Sequence, residues 1–330
     1  MIRFLASFIG LLLLAAPAFP ACQGKNLIAS LSDQDRAALT AAADAVPFPR
    51  GMFWRATRGT AIVHLIGTYH FDDPRHAPTF ARLEPLIAHA TTVLVEAGPD
   101  EQKALFAHMA RDPSVMVITD GPTLPEMLPE ADWQALADAM RARSMPPFMA
   151  AKFRPWYVSM ILSTPACDME NMTASTGGLD AMVIKAAQQA RIPIRALEPY
   201  DTIFSIFGAL TQDEQISMIR STLAMEPMAA DYAVTLADSY FAEEGRLLWE
   251  FTRFKALSVP GETPETVARD FSRMEEVLMA ARNRAWIPVI DETSRQGPVL
   301  VAFGALHLSG AEGVLALLER AGFVIERLPL

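Results

Sequence analysis

The chain has 330 residues and a formal net charge of −10 at neutral pH, and 51% of its residues are hydrophobic. An acidic surface repels phosphate backbones, so nucleic acid is not expected as a partner. The length and the hydrophobic fraction suffice for one large domain or two small ones with a sizeable core.

The first residues are typical of a secretory signal peptide, which we assign to residues 1–18. Arg3 precedes an apolar run at 4–16, and Ala18 ends a small-residue cleavage site. The run is shorter than the roughly 20 residues that cross a bilayer, and no later run is longer. The mature chain is therefore expected to have no transmembrane segment and to be periplasmic or secreted. Residues 19–22 also resemble a lipoprotein cleavage site, so a lipid anchor on Cys22 is an alternative.

The sequence contains two cysteines, Cys22 and Cys167. Outside the cytoplasm an even number of thiols commonly forms disulfides, and we predict a bond between these two. The bond would tie the N-terminal arm, residues 19–50, to the middle of the chain. It would leave no thiol as a catalytic nucleophile.

The first half of the chain alternates strand and helix patterns. In the arm, Ser32 is the predicted cap of a short helix that ends near Val46. Two apolar runs around a tight turn predict a strand hairpin. The elements predicted here, in chain order, are strands at 53–57 and 61–66, a helix starting at Asp73-Pro74, a strand at 91–97, helices at 100–111, 124–143 and 179–190, and a strand at 192–197. This alternation indicates an α/β fold in which helices cover a sheet.

The second half begins with helical patterns alone, at residues 211–286. Strand patterns return at 298–303 and 323–328, with a helix at 311–321 between them. Because the last strands must pack with the first, we predict one discontinuous α/β domain with a mixed sheet layered with helices. Residues 51–210 and 287–330 would form it, and residues 211–286 would be an all-helical insertion or lid.

Several standard catalytic motifs are absent from the sequence. It contains no G-x-S-x-G, H-E-x-x-H, C-x-x-C, G-x-x-x-x-G-K-[ST] or G-x-G-x-x-G pattern. The sequence therefore does not indicate a common serine hydrolase, a zinc protease of the H-E-x-x-H type, a kinase or a dinucleotide enzyme.

A duplicated pattern points to a different kind of site. AIVHLIGTYH ends at His70 and VLVAFGALH ends at His307, and each is an apolar strand followed by Gly-x-x-His. Loops at the carboxyl ends of strands hold the ligand site in α/β sheets, so we expect the two histidines to face each other. Glu96 also closes an apolar strand and is the candidate third ligand. Two histidines and a carboxylate suit a hydrolytic site for a divalent metal such as Mn, Co or Zn.

The remaining histidines and polar residues have simpler explanations. The pattern around His64, His76, His89 and His108 indicates structural or solvated side chains. Asp180 could orient a metal-binding histidine, but its place at the start of the predicted helix favours a capping role. Trp156 is expected to pack in the interior.

Blocks spread over the chain resemble the TraB/GumN family, whose relatives include the Tiki metalloproteases. The resemblance covers roughly residues 50–330 and rests on GTYH at 67–70, LVEAG at 94–98, FRPWY at 153–157, GLD at 178–180, ALE at 196–198, ARNRAW at 281–286 and GALHLSGAEGVLALLERAGF at 304–323. It implies a fold grouped with ChaN haem-binding and erythromycin-esterase proteins. It also implies a metal-dependent hydrolase that uses the two histidines, an acidic residue and an arginine. By position these are His70, His307, Glu96 and Arg282, with Arg284 competing for the arginine role.

The resulting hypothesis is an extracytoplasmic metal-dependent hydrolase that acts on a peptide or protein substrate. His70, His307 and Glu96 would hold the ion, Arg282 would stabilise the oxyanion, and Glu198 would return the proton. The alternatives are a non-catalytic haem- or metal-binding protein of the ChaN type, for which Tyr69 beside His70 is a conceivable axial ligand, or an esterase on the same fold. The identity of the substrate, the native metal and the oligomeric state stay open at this stage.

Overall fold

The computed structural model describes residues 22–169, 177–259 and 261–330. The predicted signal peptide and its cleavage site lie outside the described residues. Within these three ranges no helix is long and apolar enough to cross a membrane.

A mixed sheet forms the centre of the fold, as predicted. Its strands in the described residues are β1 (Phe53–Arg58), β2 (Ala61–Thr68), β3 (Thr92–Val95), β4 (Ile194–Ala196), β5 (Val299–Gly304) and β6 (Val324–Arg327), in the spatial order β4-β3-β5-β2-β1-β6. Strands β4, β3, β5 and β2 are parallel to one another, whereas β1 pairs antiparallel with both β2 and β6. The predicted hairpin is therefore β1–β2, and the first and last strands share one sheet.

Helices surround this sheet and make the fold α/β. In chain order they are α1 (Asp33–Asp44), α2 (His76–His89), α3 (Pro99–Arg111), α4 (Leu124–Met127), α5 (Glu130–Ala142), α6 (Pro147–Ala150), α7 (Pro155–Leu162), α8 (Leu179–Ala190), α9 (Thr202–Gly208), α10 (Gln212–Met225), α11 (Ala229–Phe241), α12 (Gly245–Ala256), α13 (Pro264–Glu275), α14 (Ala281–Ser294) and α15 (Val314–Arg320). Helix α2 packs against α8, and α14 packs against α15 and β2. Strand β5 is buried along its whole length, so it runs through the middle of the core.

Two helix predictions were wrong in detail. The predicted helix at 124–143 is divided at Pro129, because proline has no N–H to donate and disfavours helical backbone at the preceding residue. The helix predicted to start at Asp73-Pro74 is α2, which begins at His76 instead. The Asp73 carboxylate instead accepts from the backbone N–H of Arg75, at 2.8 Å, in a turn before the helix.

No strand occurs in the described residues of the interval 211–286, as predicted. Helix α10 packs on α5 and α7 around a separate apolar cluster that includes Ile219 and Leu223. Helix α12 packs on α1 in the N-terminal arm around Leu247 and Phe251. Helix α14 runs through residue 287, where the helical interval was expected to end.

The N-terminal arm is fastened to the rest of the fold at several points. Ser32 caps α1 by accepting from the backbone N–H of Asp35, as predicted. The structure contains the predicted disulfide between Cys22 and Cys167, whose Cα atoms are 5.3 Å apart. The backbone N–H of Leu27 also donates to the Thr235 hydroxyl in α11, at 2.8 Å. A disulfide is compatible with a location outside the cytoplasm.

Candidate active site

The two Gly-x-x-His turns pack against each other at the carboxyl ends of β2 and β5. These strands are parallel neighbours, and Thr68 stands opposite Gly304. A Cβ atom at Gly67 would lie 2.6 Å from Leu308 Cδ1 and 3.0 Å from Ala305 Cα. Real Cβ atoms essentially never come this close to other heavy atoms, so the glycine lets the two turns meet.

The three predicted metal ligands surround the α-carbon of Gly304. A Cβ atom at this position would lie 3.2 Å from both Glu96 Oε1 and His70 Nε2, and 3.7 Å from His307 Cδ2. Glu96 Oε1 is 4.0 Å from His307 Nε2. The structure therefore brings His70, Glu96 and His307 together at one point, and the missing side chain at residue 304 leaves the space between them open.

His70 is held by Asp180. Its Nδ1 lies 2.8 Å from Asp180 Oδ2, and the hydroxyl of Thr68 donates to Oδ1 of the same carboxylate. Desolvation disfavours protonation of His70, but this hydrogen bond and the charges of Asp180 and Glu96 outweigh it and raise the pKa of His70 to about 9. The predicted capping role of Asp180 was wrong, because Gly178 is the N-cap of α8 and the carboxylate points to His70.

His307 is buried and held by Asn283, a residue that the sequence analysis missed. Asn283 Nδ2 donates to the carbonyl of Glu312 at 2.8 Å, which fixes the amide orientation. Its Oδ1 therefore accepts from His307 Nδ1, at 2.6 Å, and the lone pair of His307 lies on Nε2. Desolvation, together with the charges of Arg282 and His70, lowers the pKa of His307 to about 4, so the imidazole is neutral at neutral pH.

Arg282 lies at the centre of the site and uses all of its donors. Nε and Nη2 each donate to Glu198, both at 2.8 Å. Nη2 also donates to Glu96 Oε2 at 2.6 Å, and Nη1 donates to the Leu278 carbonyl at 3.0 Å and to His307 Nε2 at 3.2 Å. A guanidinium has five N–H groups, and all five have partners here. The N–H groups of Arg282 are therefore bonded to lone pairs of two predicted metal ligands, Glu96 and His307.

The competing arginine, Arg284, lies outside the site. Its side chain is 44% exposed and pairs with Glu276 and Glu312 on the surface. Arg282 is thus the arginine that the structure places beside the histidines.

Both acidic residues of the site are tied to Arg282. Burial opposes ionisation of Glu96, but His307, Arg282 and His70 lower its pKa to about 2, and the N–H of Gly304 donates to it at 2.6 Å. Glu198 accepts two bonds from Arg282 and a third from the indole N–H of Trp286, at 3.0 Å. In this arrangement Glu198 holds Arg282 in place.

The described His, Cys, Asp and Glu side chains form no group of three or more arranged to hold a metal ion. Arg282 instead engages the lone pairs of Glu96 Oε2 and His307 Nε2, so a cation would have to displace its N–H groups from both. The donor types nevertheless suit a divalent ion, because each imidazole is fixed through Nδ1 and directs Nε2 to the site. His70, whose raised pKa places a proton on Nε2 at neutral pH, would release that proton when an ion binds.

A cavity of about 620 Å³ opens from His70, Glu96 and Asp180. It continues along α8 to Lys185 and Gln188. A second cavity, of about 680 Å³, shares Pro99 and Gln188 with the first and reaches Glu198. The candidate site therefore lies in a cleft formed by these two adjoining cavities.

The other histidines and Tyr69 lie outside the ligand cluster. His76 is buried among Tyr69, Tyr240 and Phe241, and its Nε2 donates to the Phe71 carbonyl at 3.1 Å. Tyr69 packs in the same aromatic cluster, where burial raises the pKa of its phenol. Trp156 is buried, as predicted.

Comparison with known proteins agrees with the sequence blocks. The family model described as the TraB/PrgY/gumN family matches residues 52–327, a range that contains both Gly-x-x-His turns, Glu96, Glu198 and Arg282. The uncharacterized protein YbaP of Escherichia coli (strain K12) is 25% identical over 253 residues, which are 76% of this chain and 86% of YbaP. The YbaP protein of Shigella flexneri is 25% identical over 248 residues, which are 75% of this chain and 84% of that protein.

Proposed function

This chain belongs to the TraB/PrgY/gumN family, and from that premise we propose that it is a metal-dependent hydrolase that acts on peptide bonds outside the cytoplasm. One observation carries the proposal. Two imidazoles, each fixed through Nδ1, meet an ionised carboxylate around a glycine whose missing side chain leaves room for a ligand. The disulfide supports the extracytoplasmic location.

The donor atoms of His70, His307 and Glu96 are of the kinds that a divalent cation binds, and they would hold one once Arg282 gives up its contacts with Glu96 and His307. Metal-binding histidines almost always donate their second ring N–H to a carboxylate, a carbonyl or a water. Asp180 does this for His70 and Asn283 does it for His307. His70, His307 and Glu96 would hold Mn, Co or Zn, since a mixed nitrogen and oxygen donor set suits all three ions. When bound, the ion would supply Lewis-acid activation of water and of the substrate carbonyl.

Arg282 is proposed to stabilise the negative charge that develops on the substrate oxygen. Removing one such donor has cost roughly 3 to 4 kcal/mol elsewhere. All five donors of Arg282 are engaged, so those that face Glu96 and His307 must turn toward the substrate for this role. Glu198 and Trp286 would keep the guanidinium in place during that change. We also propose that Glu198 returns to the substrate the proton that the activated water releases.

Metal stoichiometry and peptide hydrolysis test this function together. Exported protein would be stripped with a chelator and titrated with Mn, Co and Zn by calorimetry, and then assayed on a mixture of short peptides. We expect one ion per chain, with most affinity lost in His70→Ala and in His307→Ala and little further loss in the double variant, because ligands of one ion act as a unit.

His89→Ala is the matched control, since His89 is exposed and its Nδ1 lies 2.6 Å from the Pro85 carbonyl of its own helix. It should bind metal as the wild type does. Binding that survives in His307→Ala, or no binding of any of the three ions, contradicts the proposal. Titration with haem, followed by absorbance, tests the alternative of a non-catalytic haem-binding protein. That alternative requires a spectral change that saturates at a fixed ratio of haem to protein.

A further inference from the structure

Helix α8 starts at the candidate site and forms one wall of the cleft. The backbone N–H groups of Gly178 and Leu179 donate to the carbonyls of His70 and Tyr69, both at 3.0 Å. A Cβ atom at Gly178 would collide with Tyr69 O, so glycine is needed for this close approach. The helix axis therefore runs away from the His70 turn.

The two faces of α8 differ in character. The core-facing residues are fully buried and apolar, namely Leu179, Val183 and Ala187. The cleft-facing residues follow the helical repeat and are Asp180, Ala181, Ile184, Lys185 and Gln188. A ligand that extends along the cleft from His70 would contact this second face.

Lys185 is the cation on this face. It is exposed, and among the described residues that line this cavity there is no arginine and no other lysine. Within the part of the chain that the structure describes, Lys185 has no hydrogen-bond or ion-pair partner. Two carboxylates line the cavity in the described ranges, and both are engaged, Glu96 with Arg282 and Asp180 with His70.

The position of Lys185 defines a distance from the site. It follows Asp180 by five residues, which corresponds to about 7.5 Å along a helix axis. An extended peptide covers that length with about two residues. A substrate whose reacting bond lies at His70 would thus bring the second residue beyond that bond to Lys185.

We propose that Lys185 binds a carboxylate of the substrate, so that the cleft selects peptides that carry a negative charge about two residues beyond the cleaved bond. This inference rests on the proposed peptide hydrolysis. The net charge of −10 repels anionic ligands over most of the surface, so the attraction of a carboxylate depends on the local charge of Lys185 in the cleft. The carboxylate can belong to the peptide C-terminus or to an acidic side chain.

Peptide binding to the full-length mature protein tests the inference without turnover. The probes are N-acetylated tetra-alanine with a free C-terminal carboxylate, the same peptide as its C-terminal amide, and an amidated peptide of equal length ending in glutamate. We expect at least one of the two carboxylate peptides to bind about three- to tenfold more tightly than the neutral amide, since an ion pair in partial contact with water contributes modestly. The carboxylate peptide that shows the preference identifies the source of the charge.

Substitutions of Lys185 test whether this residue causes the preference for carboxylate peptides. Lys185→Met should abolish it and Lys185→Arg should retain it. Lys103→Met is the matched control, because Lys103 is an exposed lysine of α3 on the neighbouring wall that does not line the cavity. With a cleaved peptide, Lys185→Met should raise KM by the same factor and leave kcat unchanged.

The outcomes separate this inference from the proposed function. A wild type that does not prefer either carboxylate peptide at millimolar concentration, or a preference that survives in Lys185→Met, overturns it even if peptides are hydrolysed. Equal competition by inorganic phosphate also overturns it, since the site would then bind anions in general. A preference that depends on Lys185 without any hydrolysis supports the binding site and rejects the hydrolase.

Discussion

Replacing Arg282 by methionine should weaken the metal-free fold and strengthen metal binding. The side chains of Arg282, Glu96 and Glu198 are only 15%, 21% and 14% exposed. The change leaves two largely buried carboxylates without their cation. Breaking such a pair costs about 3 to 5 kcal/mol of unfolding free energy. At about 2 °C per kcal/mol for a chain of this size, the melting temperature should fall by roughly 6 to 10 °C.

The same substitution, Arg282→Met, should increase the affinity for metal. Arg282 donates to Glu96 Oε2 at 2.6 Å and approaches His307 Nε2 at 3.2 Å, so an ion must displace both contacts. Each hydrogen bond contributes about 1 kcal/mol net, so their absence should tighten binding roughly 30-fold. Removal of the positive charge acts in the same direction. Hydrolysis should nevertheless fall, because the proposed oxyanion donor is gone.

Scanning calorimetry without metal and titration calorimetry with Mn, Co and Zn measure the two effects. Arg284→Met is the matched control, since Arg284 lies two residues away in an exposed ion pair and should change stability by less than about 1 kcal/mol. An unchanged melting temperature in metal-free Arg282→Met would show that the ion pairs of Arg282 with Glu96 and Glu198 do not stabilise the fold, and would refute this reasoning. Weaker metal binding in that variant would refute the competition between Arg282 and the ion.

Three further changes have defined outcomes. Asn283→Leu should lower metal affinity about 10- to 100-fold in titration calorimetry, because His307 loses the contact that fixes its tautomer. Gly304→Ala should weaken metal binding, since its Cβ would lie 3.2 Å from both Glu96 Oε1 and His70 Nε2 and displace them slightly, whereas Gly208→Ala, with nothing within 4 Å of the new Cβ, should not. Reduction of the Cys22–Cys167 bond should lower the unfolding free energy by about 4 to 5 kcal/mol, seen as a lower melting temperature with reductant; an unchanged value would mean that the arm is held by its other contacts.

The sheet and the two histidine turns were predictable because both depend on short-range patterns. Apolar strands that end in Gly-x-x-His are visible in the sequence, and parallel neighbours necessarily bring their carboxyl ends to one edge. Asp180 shows where short-range reasoning fails. An Asp at the start of a helix commonly caps it, but the contact of Gly178 with the His70 turn places Asp180 inside the first turn of α8. That contact joins segments more than 100 residues apart.

Asn283 could not be found from local pattern alone, because its partner lies in a distant turn. Its contacts with His307 and the Glu312 carbonyl exist only after α14 has packed beside β5. The division of the 124–143 helix at Pro129 is different in kind, since the proline is visible in the sequence. There the amphipathic repeats of two successive helices follow each other so closely that together they predict a single helix.

The choice between Arg282 and Arg284 follows from helical geometry. Two residues in an α-helix are about 200° apart, so the two side chains cannot face the same site. Trp286, one turn after Arg282, is fully buried and donates to Glu198, the residue that also binds Arg282. Residues four apart share a helix face. The buried tryptophan therefore identifies Arg282 as the arginine on the inner face and leaves Arg284 on the solvent side, a distinction that the order of residues 281–286 already contains.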